Sequence, residues 1–133
     1  MGKTTIVSRA MLAAAVSLCV ASAVAAPGGP LDGRKYKAEA GEKGKAKAED
    51  DEISFAGGLF HSKGCDPYGF KPGPYRAVTK DGVTTFEAET LSPKEGKIAW
   101  KGTVQGDRID GTYVWTKAGQ ADIEYWLKGQ AVK

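Results

Sequence analysis

Two residues with the chemistry of a nucleophile or a metal ligand, His61 and Cys65, lie four positions apart in this 133-residue chain. A thiol beside an imidazole base can act as a nucleophile, and both side chains bind zinc or copper. A nucleophile also needs an orienting group and an oxyanion pocket, and a structural zinc site needs four ligands. The sequence shows neither the orienting group and oxyanion pocket nor the further metal ligands, so we predict no catalytic residue, no metal site and no cofactor. A thiol or metal site at this pair, including one shared by two chains, is the third and least favoured hypothesis.

A pair of carboxylates, Glu87 and Glu89, has a spacing that would suit general acid–base chemistry. Residues two apart in a strand share a face, and here that face is the polar, outward one. We therefore interpret the pair as solvated surface charge. The sequence also contains no phosphate-binding loop, nucleophile elbow, zinc-binding helix motif or Cys-x-x-Cys-His haem motif. We predict that the protein is not an enzyme.

Aromatic side chains form the group with the clearest binding chemistry. Five fall on apolar strand faces, and two fall in the Gly- and Pro-rich stretch from His61 to Pro74. The candidate ligand-binding residues are Tyr68, Phe70, Phe86, Trp100, Tyr113, Trp115 and Tyr125. These rings either line a cavity for an apolar or aromatic ligand or pack the core of a small barrel. Within the long stretch, Tyr68 and Phe70 either belong to a lid or plug the barrel end.

The segment Ile98–Trp115 is the element that best positions these rings. Folded at Gly106-Asp107, it sets residue i opposite residue 213 − i. The predicted pairs are Ile98 with Trp115, Trp100 with Tyr113, Gly102 with Gly111 and Val104 with Ile109. All of these residues share one face, while the other face is mostly polar, so alternation and turn chemistry agree on a hairpin.

Alternation and turn residues predict seven strands along the chain. They are Arg34–Ala40, Ile53–Leu59, Tyr75–Lys80, Val83–Leu91, Ile98–Val104, Ile109–Trp115 and Ile123–Gly129. Asp81-Gly82 is a strong two-residue hairpin signal, and a three-residue turn centred on Gly119 would set Tyr113 opposite Tyr125. Phe60 breaks the alternation, which indicates a bulge or sharp bend at Gly57-Gly58. Lys45–Ala48 is either a weak eighth, edge strand or a solvated loop, and the stretch from His61 to Pro74 is predicted to be neither strand nor helix.

These elements predict an all-β fold, a single antiparallel up-and-down barrel of seven or eight strands in meander order. Glycines on the apolar face, Gly57, Gly102, Gly111 and Gly129, favour tight coiling of the sheet. A flat meander or a two-sheet sandwich is the alternative. Over Leu31 to Lys133 the strand order, turn spacing and aromatic inner face resemble lipocalins and avidins. The resemblance is architectural, without a matching motif, so it assigns no ligand residue.

Residues 1–25 are predicted to be a cleaved signal peptide. Lys3 and Arg9 precede an apolar run too short for a confident membrane span, and Ala23-Val24-Ala25 offers a cleavage site. Residues 26–30 then form a flexible spacer and residues 31–133 a single domain. We expect a periplasmic or secreted protein with no stable membrane anchor after cleavage. An uncleaved anchor is the alternative.

Cleavage removes two of the 19 basic residues, none of the 16 acidic ones, and Cys19. The nearly neutral remainder has no strong field to attract nucleic acid, so we predict no nucleic-acid partner. Cys65 is then the single cysteine, which excludes an internal disulfide and leaves open a homodimer linked through Cys65.

The favoured hypothesis is non-enzymatic binding of a small apolar or aromatic ligand at the barrel end covered by the stretch 61–74. The alternative is a module that binds a protein or an envelope polymer through its outer surface, with Trp126, Phe60 and the stretch 61–74 as contacts.

Overall fold

The computed structural model describes residues 29–133 and arranges eight strands in one closed barrel. The strands are β1 (Lys35–Glu42), β2 (Glu49–Ala56), β3 (Leu59–Ser62), β4 (Gly73–Lys80), β5 (Val83–Ser92), β6 (Gly96–Gln105), β7 (Arg108–Thr116) and β8 (Ile123–Ala131). Each strand pairs antiparallel with the next along the chain, and β8 pairs with β1 to close the sheet. The predicted antiparallel up-and-down barrel is confirmed, at the larger of the two predicted strand numbers.

The predicted signal peptide, residues 1–25, lies outside the described residues, as does the spacer as far as residue 28. Between residues 29 and 133, no helix has the length and apolar character needed to cross a membrane.

The β6–β7 hairpin has the predicted register, with Gly102 opposite Gly111. Its turn begins at Gly106, whose φ of +58° is one that glycine adopts readily. A Cβ on Gly102 would collide with the backbone carbonyl oxygen of Asp110. The two strands therefore approach this closely because neither glycine carries a side chain.

The pairing of β7 with β8 also follows the prediction, with Tyr113 opposite Tyr125. β7 ends at Thr116 and β8 begins at Ile123, so the connection is longer than the predicted three-residue turn. Register is retained because the extra residues extend the loop about Gly119 symmetrically, so the inward-facing residues stay aligned.

The eighth strand is β3, not Lys45–Ala48, which lies in the turn and irregular backbone between β1 and β2. Gly57 and Gly58 both have positive φ, +58° and +80°, and form a two-residue hairpin turn between β2 and β3. The break in alternation at Phe60 is therefore a change of strand rather than a bulge. Gly57 consequently lies in a turn and not on the inner face of a strand.

The stretch from His61 to Pro74 is more regular than predicted. His61 and Ser62 complete β3, a 3-10 helix spans Lys63–Tyr68, and β4 begins at Gly73. The short helix accommodates Pro67 because few of its backbone N–H groups need a partner within the helix. Gly69, at φ +83°, ends it in the left-handed conformation that glycine favours.

One end of the barrel, which we call the sealed end, is filled from the N-terminal side. Leu31 is fully buried there, and its backbone N–H donates to the hydroxyl oxygen of Tyr75 at 3.1 Å. That hydroxyl donates in turn to Oδ1 of Asp32 at 2.8 Å, and the same oxygen accepts the N–H of Gly58 at 3.1 Å. A hydrogen-bonded turn therefore holds the Leu31 plug in place.

The middle of the barrel is packed with aromatic rings. Phe55 contacts Phe60 and Phe86 edge-to-face, with centroids 5.4 and 5.3 Å apart, and Phe60 lies 4.6 Å from Trp100. The indole N–H of Trp100 donates to the buried hydroxyl of Thr90 at 3.0 Å, so its polar atom is satisfied. The interior between the sealed end and Trp100 is therefore a core.

Candidate functional site

The opposite end of the barrel, which we call the open end, holds a cleft of about 620 Å³. It lies where β1, β5 and β7 finish and where β2, β6 and β8 begin. The residues that line it are Ala40, Gly41, Glu42, Lys45, Lys47, Glu49, Asp50, Asp51, Gly64, Cys65, Tyr68, Phe70, Glu95, Ile98, Tyr113, Trp115 and Tyr125. This volume is in the range of small-molecule sites.

A ladder of rings leads from the core to the cleft. Trp100 lies 4.1 Å from Tyr113, and Tyr113 stacks on Tyr125 at 4.7 Å with an interplanar angle of 7°. Tyr113 is buried and Tyr125 half-buried, so the stack marks the floor of the cleft. The floor is rigid because the rings below it are close-packed.

The predicted ligand-binding residues separate into two groups. Phe86 and Trp100, 1% and 2% exposed, belong to the core and do not line the cleft. The other five line the cleft: Tyr68, Phe70, Tyr113, Trp115 and Tyr125. The core-packing interpretation of the aromatic row thus applies to the middle of the barrel, and the cavity-lining interpretation applies to its open end.

The two aromatics of the stretch 61–74 behave differently. Phe70 is buried and packs with the core, as a plug would, whereas Tyr68 is 60% exposed at the mouth of the cleft. The hydroxyl of Ser92 donates to the backbone oxygen of Tyr68 at 2.8 Å, which fixes the backbone while its ring stays in solvent.

Trp115 is held at the wall of the cleft by its polar edge. Its indole N–H donates to the backbone oxygen of Glu95 at 2.6 Å. The carboxylate of Glu95 accepts a hydrogen bond from Nζ of Lys117 at 2.7 Å, and this ammonium lies 6.0 Å from the Trp115 ring centroid. The ring face is therefore presented in a fixed orientation.

None of the five acidic residues that line the cleft was predicted, and three of them continue an inward-facing alternation. Asp51 and Glu49 have the same strand parity as buried Ile53, and Glu42 has the same parity as buried Ala40, so all three face inward. They could be predicted by continuing the inward-facing alternation two residues beyond Ala40 on β1 and four residues before Ile53 on β2.

Asp51 is fixed by hydrogen bonds rather than by a cation. Its Oδ2 accepts from the hydroxyl of Ser62 at 2.6 Å, and its Oδ1 accepts from the backbone N–H groups of Gly64 at 2.7 Å and Glu52 at 2.6 Å. Hydrogen bonds to a carboxylate are among the stronger ones, so these three donors fix its position. The Asp51 carboxylate is therefore held on the wall of the cleft.

These charges act on the tyrosines of the floor. Burial raises the pKa of Tyr113, and Cys65 and Asp51 add to the effect. Burial also raises the pKa of Tyr125, with Glu42 the next contributor. Both phenols are neutral at physiological pH and have hydroxyls that can donate or accept a hydrogen bond. The Tyr113 side chain is only 9% exposed, and its hydroxyl keeps access to solvent without a protein hydrogen-bond partner among residues 29–133.

His61 and Cys65 do not form a pair. His61 faces outward from β3 with its Nε2 2.6 Å from Oδ1 of Asp66, whereas Cys65 lines the cleft. Burial raises the pKa of the Cys65 thiol to about 11, with a smaller opposing effect of its hydrogen bond to Ser62. Within the described part of the chain, no group of three His, Cys, Asp or Glu side chains is placed to hold a metal ion.

The remaining candidates lie outside the cleft. Glu87 and Glu89 are on the outer face, where they lie 4.0 Å from Arg76 and 3.7 Å from Lys97. Phe60, proposed as an outer contact, is completely buried inside the barrel. The hairpin turn at 57–58 pairs it with Phe55, so its side chain lies on the inner face of β3. Trp126 does face outward, beside Gly41.

Comparisons with protein-family models, with curated protein sequences and with solved structures gave no match for this chain.

Proposed function

We propose that this protein is an exported, non-enzymatic binding protein that takes a small, ring-bearing ligand into the cleft at its open end. The observation that carries the proposal is the asymmetry of the barrel. One end is plugged by Leu31 and the middle is filled with rings, whereas the other end keeps a cleft of about 620 Å³ above a stacked tyrosine pair.

The shape and chemistry of the cleft suit a ligand of one or two rings. Trp115 offers a ring face at the wall and Tyr125 offers one at the floor, and Ile98 adds an apolar lining residue. Ring-on-ring contacts contribute about 0.5–1.5 kcal/mol each beyond the burial of apolar area. Because the rings are already held in place, binding requires little ordering of the protein.

A lipocalin-like role, in the periplasm or outside the cell, is part of the same proposal. It is supported by the leader-like first 25 residues and by a barrel with a buried plug at one end and a cleft at the other. The outer-surface alternative receives less support, since Phe60 is inside the barrel.

The three tryptophans provide a built-in test, because each occupies a different environment. Trp115 lines the cleft, Trp100 is in the core and Trp126 is on the outer face. We would assign the three indole N–H resonances in ¹⁵N–¹H spectra with single Trp→Phe variants. The protein would then be titrated with indole, 2-naphthol and N-phenyl-1-naphthylamine.

The proposal predicts a saturable shift of the Trp115 resonance, larger than that of Trp100, with Trp126 unmoved. Lack of any saturable Trp115 shift with all three probes would contradict it. A shift confined to Trp126 would instead favour recognition through the outer surface.

A further inference from the structure

We propose that the cleft selects ring-bearing ligands that also carry a positive charge, such as an aryl-alkyl amine. This inference rests on the proposed function and specifies the class of ligand. It is argued from the charges at the cleft, from their partners and from the hydroxyl of Tyr113.

The cleft has the opposite charge to the chain as a whole. Five carboxylates and two lysines line it, whereas the full sequence has a formal net charge of +3. A concave surface of low dielectric focuses such a field and raises the local concentration of cations. An anionic ligand would enter against this field.

Two of the carboxylates can change partners at little cost. Glu42 lies 3.5 Å from Lys45, and Glu49 lies 3.9 Å from Lys47, in pairs whose side chains are substantially exposed. Exposed pairs of this kind stabilise a protein by about 0–1 kcal/mol, so an incoming ammonium can replace the lysines. Glu95 is less available, because its ion pair with Lys117 is shorter and less exposed.

Asp51 supplies the fixed part of the charge. Its hydrogen bonds to Ser62 and Gly64 hold the carboxylate at the wall without neutralising it. A cation in the cleft therefore meets a carboxylate whose position is already fixed by hydrogen bonds.

The Tyr113 hydroxyl offers the ligand a hydrogen-bond acceptor. The side chain is only 9% exposed and lines the cleft, and its hydroxyl keeps access to solvent without a protein hydrogen-bond partner among residues 29–133. An ammonium group has only donors, so its N–H can donate to this phenolic oxygen. The free face of Tyr125 favours a cation as well, through the negative charge of the ring face, whereas both faces of Tyr113 are covered by Trp100 and Tyr125.

A bare metal ion fits this arrangement less well. In the described part of the chain no three His, Cys, Asp or Glu side chains converge on a metal position, and aromatic faces do not ligate hard cations. An organic cation uses both the rings and the carboxylates.

The test compares three ligands that share one ring system: tryptamine, indole and indole-3-propionate. Dissociation constants would be measured from the Trp115 indole resonance at low and at moderate salt. We expect tryptamine to bind about tenfold or more tightly than indole, and indole-3-propionate to bind more weakly than indole. The preference for tryptamine should shrink as salt screens the carboxylates.

The matched variants are Glu42→Gln with Glu49→Gln in the cleft, and Glu87→Gln with Glu89→Gln on the outer face. Both pairs change the net charge equally and involve exposed or half-buried side chains. The cleft pair should remove most of the preference for tryptamine, whereas the outer pair should leave it intact. The same spectra report whether each variant is folded.

Three outcomes separate the inference from the proposed function. If indole or indole-3-propionate binds as tightly as tryptamine and Trp115 still shifts, the charge preference is wrong and the binding site stands. Equal loss of preference in both variant pairs would also overturn the inference, because the charge would then act at long range. If none of the three ligands shifts Trp115, both proposals are wrong.

Discussion

Tyr113 and Tyr125 stack face to face across β7 and β8, 4.7 Å apart and nearly parallel. One ring is buried against Trp100 and the other is half-exposed at the cleft. This pair is the boundary between the packed core and the proposed site, so substitutions on its two sides should affect different properties.

Tyr125→Ala should weaken binding of tryptamine by about tenfold or more, because it removes a ring face at the centre of the site. The control is Trp126→Phe, which changes an aromatic residue on the adjacent outward position of the same strand. Both are measured with the Trp115 resonance. Unchanged affinity in Tyr125→Ala would place the ligand elsewhere.

Tyr113→Phe tests the hydroxyl separately from the ring. Stacking is retained, and the unpartnered oxygen is removed, so the folded state should lose little stability or gain slightly. Affinity for tryptamine should fall several-fold, while affinity for indole-3-propionate should not fall. Equal changes for both ligands would show that the hydroxyl does not accept from the ammonium.

Phe86→Ala should lower the free energy of unfolding by about 3–5 kcal/mol, because it opens a cavity among Phe55, Phe60 and Gly102 in the packed part of the barrel. Tyr68→Ala, at an exposed ring, should change it by less than about 0.5 kcal/mol. Urea unfolding measures both. Similar costs for the two variants would contradict the division into core and cleft.

The sealed end should weaken at high pH. Burial and the hydrogen bond to Asp32 raise the pKa of Tyr75 from 10.0 to about 12, so the folded state favours the protonated phenol. The resulting stability is complete below the unfolded pKa of 10.0 and is lost as the pH rises towards 12. Tyr75→Phe should flatten this decline in the urea midpoint. An identical decline in both proteins would contradict the assignment.

The hydrogen bond from the Tyr75 hydroxyl to the Asp32 carboxylate also affects stability at low pH. It lowers the pKa of Asp32 below 3.8, so the stabilisation is present above 3.8 and is lost as the pH falls through the lowered value. Tyr75→Phe should therefore also be less sensitive to acid than the parent protein.

Cys65 should react slowly with iodoacetamide. With a thiol pKa of about 11, only about one molecule in a thousand carries a thiolate at pH 8, and a ligand in the cleft should slow the reaction further. Mass spectrometry follows the labelling, with the urea-unfolded chain as the reference. Labelling as fast as in the unfolded chain would show that the thiol is exposed, as a Cys65-linked homodimer requires.

The sequence predicted most strongly where two independent signals agreed. In the β6–β7 hairpin, the turn at Gly106 and the alternation of Ile98 and Trp100 required the same register, which the structure has. In β3 only four residues follow a glycine turn, too few for alternation to reveal a separate strand. The sequence therefore predicts only a bulge or sharp bend at Gly57-Gly58 and not a new strand at Phe60.

The site was predicted incompletely for a related reason. Inward faces were recognised by their apolar residues, so Glu42, Glu49 and Asp51 were not assigned to the interior even though they continue its parity. Nor does composition reveal that Phe70 packs inward while Tyr68 remains in solvent. That difference depends on where the 3-10 helix ends relative to Ser92.

The most direct test of a ligand site at the open end is an intermolecular nuclear Overhauser measurement with tryptamine and isoleucine-methyl-labelled protein. Ile98 lines the cleft, whereas Ile53 and Ile109 are enclosed in the packed interior. The account predicts cross-peaks from the indole ring protons to the Ile98 methyl group and none to Ile109. Cross-peaks to Ile109 without Ile98, or saturable binding with no cross-peak to Ile98, would contradict it.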